Sequence, residues 1–291
     1  MKRIIATIAL SAALLTSCYK AELHETSHPD SGEVTFFITA PTQTDDTDYT
    51  APMTLAVNGE QYAATPNNTL TVDLLDPGNY TYYIYNDSAS GDTSKITYTS
   101  SAIIASVDLD ENGNVESNPN RVYFGSESFE AVADTNTTVT TYSSCVGRDL
   151  HFILQLEGDA TSSLEGFSAN LSGVAQQWDC IADVPYGDSA SLTPTFTLSS
   201  DASGAYYLKA SVHLLGISTS ATQVLTIELS YAGENPATHT FSSEVSSLMS
   251  GFNNDKSTSM TISNTIETPT GVTSGGTIGD WIEESYTIEA K

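Results

Sequence analysis

The side chains able to do chemistry in this 291-residue chain are three cysteines, five histidines and 36 carboxylates, and spacing sorts them. Asp108, Asp110, Asn112 and Gly113 spell the opening of a calcium loop, in which alternate oxygens wrap a hard cation. The position where a bidentate acid must close the shell is Pro119, and Glu116 would serve only with different geometry. A polar hairpin turn at Asn112-Gly113 is therefore the expectation. Asp45, Asp46 and Asp48 read as a solvated acidic loop between strands. His24, His28, His151, His213 and His239 are scattered. His24 and His28 have helical spacing but no third ligand, so no metal site is expected. There is no Gly-x-Ser-x-Gly elbow and no phosphate-cradling glycine loop. Neither catalytic residues nor a cofactor are expected, and the chain does not read as an enzyme.

Cys18 is different, because of what precedes it. Lys2 and Arg3 lead into an apolar run, Ile4 to Leu15, broken only by Thr7 and Ser11. A charged start and a short apolar stretch make a secretory signal, too short to span a bilayer as a stable helix. The run ends in Leu15-Thr16-Ser17-Cys18, which resembles the lipobox of bacterial lipoproteins: an apolar residue, two small ones, then cysteine. The resemblance implies a signal peptide over 1–17 and an acylated Cys18 at the start of the mature chain. Residues 18–32 would form a polar, lipidated tether. Several acyl chains on one cysteine hold a protein to a membrane lastingly, so the implied location is the outer membrane, at the cell surface. An exported chain can join Cys145 to Cys180 as a disulfide. The alternative is two buried free thiols, packed as small apolar groups.

Charge narrows the partners. The chain carries 36 acidic and 9 basic residues, a net charge of -27. Nucleic-acid binding needs Lys and Arg to neutralise phosphates, so no nucleic acid is expected. An anionic membrane surface would also repel the body, leaving the lipid to do the holding.

The elements that must carry these residues are strands. From Glu33 onward, short runs of Val, Ile, Thr, Tyr and Phe alternate with Gly, Pro, Asn and Asp turns. The spacing predicts strands at Val34–Thr39, Met53–Val57, Leu70–Leu75, Tyr80–Tyr85, Ile103–Leu109, Val122–Phe124 and Phe129–Val132. It continues at Leu150–Leu156, Phe167–Leu171, Leu192–Leu198, Tyr206–Leu214, Val224–Leu229, Thr238–Phe241 and around Met260 and Ile262. Asn58-Gly59 is a strong hairpin signal. One short helix is expected around Ser243 to Met249. The fold class is all-β, two tandem antiparallel β-sandwiches over 33–138 and 139–291, joined near residues 134–146. Tyr80, Tyr82 and Ile84 should share one face of their strand and Tyr83 and Tyr85 the other. Packed rings would make them core; exposed rings, with Trp178, would offer a platform for a glycan.

Three features together resemble the fimbrial subunit and fimbrial anchor lipoproteins of the Bacteroides group. They are the lipobox with its short tether and early strand, the stretch Leu74-Leu75-Asp76-Pro77-Gly78-Asn79-Tyr80 running into a tyrosine-rich strand, and a late Gly279-Asp280-Trp281. The resemblance implies two transthyretin-like β-sandwich domains and a role in building surface filaments with other fimbrial subunits. Assembly in that family proceeds by strand donation into a sandwich that lacks a strand. Shaft subunits create the vacancy when a protease removes the first strand, often after Arg. This chain has no Lys or Arg between Lys20 and Lys95, so an anchor or accessory subunit is the better match. After Gly271-Val272-Thr273-Ser274-Gly275-Gly276, a flexible composition, Ile278, Ile282, Tyr286 and Ile288 share one face of an extended chain. They are the candidate donor strand; the alternative is that they form the last strand of their own domain. The alternative function is a surface glycan-binding lipoprotein.

Replacing the lipobox thiol, Cys18→Ala, should abolish labelling by a metabolic fatty-acid probe and move the protein from membrane to soluble fraction. Unchanged labelling would refute the acylation.

Overall fold

A computed structural model describes residues 31–42, 49–88, 91–99, 101–158, 161, 163–232, 237–268 and 282–284. The first unit opens with β1 (Gly32–Phe37), β2 (Met53–Val57), β3 (Glu60–Ala64), β4 (Thr69–Leu75) and β5 (Gly78–Asn86). An insertion follows: β6 (Ser94–Tyr98), β7 (Ile103–Val107) and β8 (Asn114–Val115). The unit resumes with β9 (Tyr123–Ala131) and β10 (Asn136–Thr140), and β11 (Ser144–Cys145) leads out of it. The second unit runs β12 (Arg148–Glu157), β13 (Leu164–Asp179), β14 (Val184–Leu192), β15 (Thr197–Ser200), β16 (Tyr206–Leu214), β17 (Val224–Tyr231), β18 (Ala237–Glu244) and β19 (Met260–Glu267). A short β20 (Ile282–Glu284) comes last. Among the described residues there is no α-helix, only a 3-10 turn at Thr161 and Ser163.

The strands form four sheets, ordered β10-β1-β4, β11-β9-β5-β2-β3, β15-β16-β12-β19-β20 and β18-β17-β13-β14-β8. The first two enclose a core containing Val34, Phe36, Leu55, Tyr82 and Ile84. The other two enclose a larger one containing Leu150, Phe152, Leu171, Trp178, Leu225 and Ile262. Burial of β12 alternates along its length, with Leu150, Phe152, Leu154 and Leu156 inward, as a strand with one face on a core must.

Both units have the same topology. With β15, an edge strand paired to β16, left out of the count, each first strand, β1 or β12, lies between the fourth strand, antiparallel (β4 or β16), and the seventh, parallel (β10 or β19). Each second strand, β2 or β13, pairs with the third and fifth, and the fifth pairs with the sixth. The fold is all-β, as expected, and the parallel first-to-seventh pairing is a feature that the alternating strand pattern does not reveal.

The insertion between β5 and β9 crosses to the second unit. On one edge of β13, β17 pairs with Leu164–Leu171 and β7 with Gln177–Asp179, while β14 holds the opposite edge. β8 extends β14 in parallel at Ser191 and Leu192. Ile103, Ala105, Val107 and Val115 of the insertion are buried in the second unit's core. The two units are thus joined by main-chain pairing as well as by the chain between Thr140 and Arg148.

Several local expectations need correction. Val122–Phe124 and Phe129–Val132 belong to one strand, β9, paired along eight residues of β5. The run Leu192–Leu198 is broken, with β14 ending at Leu192 and β15 starting at Thr197; Pro194 lies between and offers no N–H to a ladder. Residues 134–146, read as an interruption, contain β10 and β11. No helix spans Ser243–Met249: β18 continues through Glu244 and the chain then turns. Val245, Met249 and Phe252 are fully buried at helical spacing, which is the signal that misleads. The backbone runs instead through successive turns, in which the Met249 N–H donates to the Val245 carbonyl and the Phe252 N–H to the Met249 carbonyl, and further along the Arg148 guanidinium donates to the carbonyls of Gly251, Phe252 and Thr258. The Asn58-Gly59 hairpin forms as expected: both residues have positive φ, 52° and 82°, and Val57 faces Glu60 across the two-residue loop.

Gly216 sits against the buried indole of Trp178, where an added Cβ would lie 2.4 Å from Cζ3 and 2.9 Å from Asn253 Oδ1. Overpacking of this kind costs about 1–3 kcal/mol. Gly216→Ala should lower the chemical denaturation midpoint accordingly; a midpoint unchanged from the parent would show that the ring has room to move.

Candidate functional site: strand edges, aromatic faces and a buried thiol ring

The aromatic strand β5 alternates as its sequence implies, and both faces are covered. Tyr82 and Ile84 are buried in the first core, and Tyr80 packs against it, stacked on Phe129 at 5.8 Å between centroids. On the other face Tyr83 stacks on Phe124 at 6.2 Å and packs against the second core. Tyr85 stacks on Tyr98 of the insertion at 6.2 Å, and its hydroxyl donates to Gln61 Oε1. Trp178 is fully buried, donates to Asp183 Oδ1 and lies under the Lys256 ammonium at 3.5 Å. These rings are structural. Among the described residues the exposed tyrosines are Tyr142, Tyr186 and Tyr206.

The acidic turns are likewise occupied by their own chain. Asp108 pairs with Lys95 at 2.8 Å. Asp110 Oδ1 accepts from the backbone N–H of Asn112 and Asn114, and these bonds, that from Asn114 foremost, hold its carboxyl below the ordinary range. Among the described residues no group of three or more His, Cys, Asp or Glu side chains is placed to hold a metal ion. Asp45, Asp46, Asp48, His24 and His28 lie outside the described residues, as do Cys18, Ile278, Tyr286 and Ile288. Ile282 is described as part of β20, which runs antiparallel to β19 with Ile282 opposite Ser263. That segment therefore rests on its own second unit.

One constellation escaped the reading of spacing. Cys145 in β11, Asp149 in β12 and His213 in β16 meet through the pairing of Asp149 with His213 across the β12–β16 ladder. His213 Nδ1 is 2.7 Å from Asp149 Oδ1, and its Nε2 is 3.7 Å from Cys145 Sγ. Arg121 Nη2 donates to Asp149 Oδ2 at 3.0 Å. The segment carrying Arg121 is itself clamped: Asn86 donates to the Arg121 carbonyl and accepts from the Tyr123 N–H. Only the clean alternation of β12 hinted that Asp149 and His151 share a face; the register that brings His213 beside Asp149 is a tertiary fact. Cys145 and Cys180 are both free and buried.

The ring's electrostatics follow from its membership. Burial pushes Asp149 up, but His213 and then Arg121 reverse this and bring it to about 2. Burial pushes His213 down, but Asp149 and then Cys145 lift it to about 9. Burial pushes the Cys145 thiol up, yet His213, the Gly147 N–H and Arg121 leave it below its ordinary value. Cys180 has no such company, and burial drives its thiol up to about 12.

No protein-family model and no curated protein sequence matches the chain. Solved structures do resemble it. The fimbrial anchor protein Mfa2 from Porphyromonas gingivalis aligns with a TM-score of 0.55 at 8% identity, over 88% of this chain and 98% of that one. A candidate adhesin from Bacteroides thetaiotaomicron aligns at 0.54 and 13% identity, over 82% and 92%. A candidate polysaccharide-binding protein from the same organism aligns at 0.54 and 11% identity, over 81% and 92%. At these identities the likeness is one of fold. The chain has the all-β fold of fimbrial anchor and adhesin-type proteins of the Bacteroidales.

The ring predicts an unusual alkaline stability profile. His213 is raised above 6.5, so its contribution is complete below about pH 6.5 and is lost as pH rises through about 9. Cys145 is lowered from 9.0, so its contribution grows over the range below 9.0 and opposes that loss. Cys145→Ser removes the opposing term. Its melting temperature should fall more steeply than the parent's between about pH 7 and about pH 9; parallel profiles would show the sulfur and imidazole to be uncoupled.

Proposed function

We propose that this protein is a lipid-anchored cell-surface protein that serves as a fimbrial anchor or accessory subunit and meets other fimbrial subunits by β-strand augmentation. The observation that carries this reading is the place of β1. It follows the tether directly, lies between β4 and β10, and buries Val34 and Phe36 completely. Losing it would remove two main-chain ladders and apolar side chains worth about 1.5–3 kcal/mol each. A chain built this way keeps its first strand, and so keeps whatever is attached before it.

The geometry suits a mechanical role. A pull on a lipid at Cys18 would enter the fold at Gly32 and run along β1. Ladder hydrogen bonds lie across the strand direction, so they would share the load in shear rather than be peeled singly. The resemblance to two transthyretin-like domains agrees with the repeated seven-strand topology. The fold neighbours agree with surface adhesion, Mfa2 being described as a fimbrial anchor. Glycan binding is the second reading. It rests on the polysaccharide-binding neighbour, whereas Tyr80, Tyr82, Tyr83, Tyr85 and Trp178 are committed to packing.

Internal repetition also suggests where augmentation would occur. In the second unit β20 covers the outer edge of the seventh strand, β19. In the first unit the seventh strand, β10, pairs only with β1 among the described strands, so its outer edge is the equivalent acceptor. The described part of the tail, β20, pairs with β19 at three residue pairs, a short ladder.

Two measurements test the reading. Amino-terminal mass spectrometry of the protein recovered from surface filaments should find the mature start at Cys18; a dominant start between residues 35 and 60 would make it a processed shaft subunit. Deleting residues 277–291 should leave a folded, lipidated protein with little change in melting temperature that no longer joins filaments. A large loss of thermal stability, or undiminished filament binding, would exclude donation by this tail.

A further inference from the structure

The ring of Cys145, His213, Asp149 and Arg121 has no part in a mechanical anchor, yet its order is that of an activated thiol. A carboxylate fixes one imidazole nitrogen, and the other faces sulfur. Arg121 adds a second cation near the same sulfur, and the Gly147 N–H points at it. Beyond these, Lys256 is the next charge that senses Cys145. Two cations and two anions balance, so the sulfur can remain a thiolate without leaving net charge buried.

We propose that Cys145 is a nucleophilic thiol and a covalent modification site for small soft electrophiles, low-molecular-weight disulfides being the class that an exported protein meets. Access sets the size limit. Cys145 is 7% exposed and His213 5%, which excludes a peptide-sized substrate. The Arg121 and Asp149 side chains are 29% and 25% exposed, so the ring opens to solvent on their side. The ring is closely packed at Gly147, where an added Cβ would stand 2.3 Å from His213 Nε2 and 2.6 Å from the Leu214 carbonyl.

The step balances without another oxidant. The Cys145 thiolate attacks one sulfur of R–S–S–R, the S–S bond of the reagent breaks, and a Cys145–S–S–R bond forms. The departing R–S⁻ takes the proton from His213 and leaves as R–SH. Cys145 is oxidised and the reagent's second sulfur is reduced. The adduct removes the anion that faced His213 Nε2, so it should loosen the seam at which β11 leaves the first unit. Cys180 is the internal control: it is equally buried, and its thiol meets the Trp178 carbonyl, the Ala105 backbone and the Lys256 charge but no imidazole.

The test is to expose the full chain to 2-hydroxyethyl disulfide at about pH 6 and follow each cysteine-containing peptide by mass spectrometry. Cys145 should gain a hydroxyethylthio group at least about tenfold faster than Cys180, with a rate nearly flat to about pH 8. His213→Asn should cut the rate at about pH 6 at least about tenfold and restore the rising pH dependence of an ordinary thiol. If that variant does not fold, the parent minus Cys145→Ala should show thiolate absorbance near about 240 nm at about pH 6. Reaction of Cys145 only after denaturation, a rate equal to that of Cys180, or no absorbance difference would overturn the proposal.

Discussion

Each unit depends on one long-range closure: its first strand must be flanked by its fourth and its seventh. In the first unit Glu33 meets Asn136 across the parallel ladder, and in the second Leu150 meets Met260. About a hundred residues must be gathered before either ladder forms, and loop closure grows more costly, though slowly, with length. Once formed, each ladder seals the sheet over the apolar side chains beneath it. Phe36 is then pressed edge-on against Tyr82 and Phe129, at 5.7 and 5.3 Å. The cores are consequences of this closure, since neither sheet alone buries both of its partners' faces.

The insertion makes a second structural commitment. By adding β7 to β13, it places Ile103 and Ala105 in the second core while its flanks remain bonded to β5 and β9 of the first unit. Aromatic side chains on β5 then have partners on both faces. This explains why the densest tyrosine stretch in the chain offers no sugar platform. Tyrosines that would be exposed on an isolated sandwich are covered by the insertion and by the second unit's core.

Charge is distributed with the same economy. The basic residues within the described segments are Lys95, Arg121, Arg148, Lys209 and Lys256, and all are engaged. Lys95, Arg121 and Lys256 pair with carboxylates, Arg148 holds three carbonyls, and Lys209 lies over the Tyr207 ring. The surface that remains is acidic, which keeps identical copies soluble and apart unless main-chain pairing supplies the attraction. The loop at Asp108 to Gly113, which resembles the start of a calcium site in sequence, uses its acid otherwise: Asp110, like Asp201 and Asp255 elsewhere, accepts hydrogen bonds from the turn residues that follow it. Their oxygens stabilise turns.

By itself the sequence determined the all-β class, most strand positions, the Asn58-Gly59 hairpin and the two faces of β5, because these follow from period-two patterning and from turn residues whose backbone preferences are local. It also carries Leu15-Thr16-Ser17-Cys18, a linear pattern that resembles a lipobox and depends on no fold. It could not reveal the parallel closure, the crossing of the insertion or the Cys145–His213–Asp149 ring, because each depends on pairing register between segments far apart in the chain. Asp149 meets His213 across 64 residues, and a one-residue slip in the β12–β16 ladder would turn one of them to the opposite face. The false helix at Ser243 to Met249 shows the same boundary from the other side. Val245, Met249 and Phe252 have helical spacing because one core takes all three, and successive turns, closed by the Met249 and Phe252 N–H groups, deliver them without a helix, with Arg148 holding the carbonyls of Gly251 and Phe252.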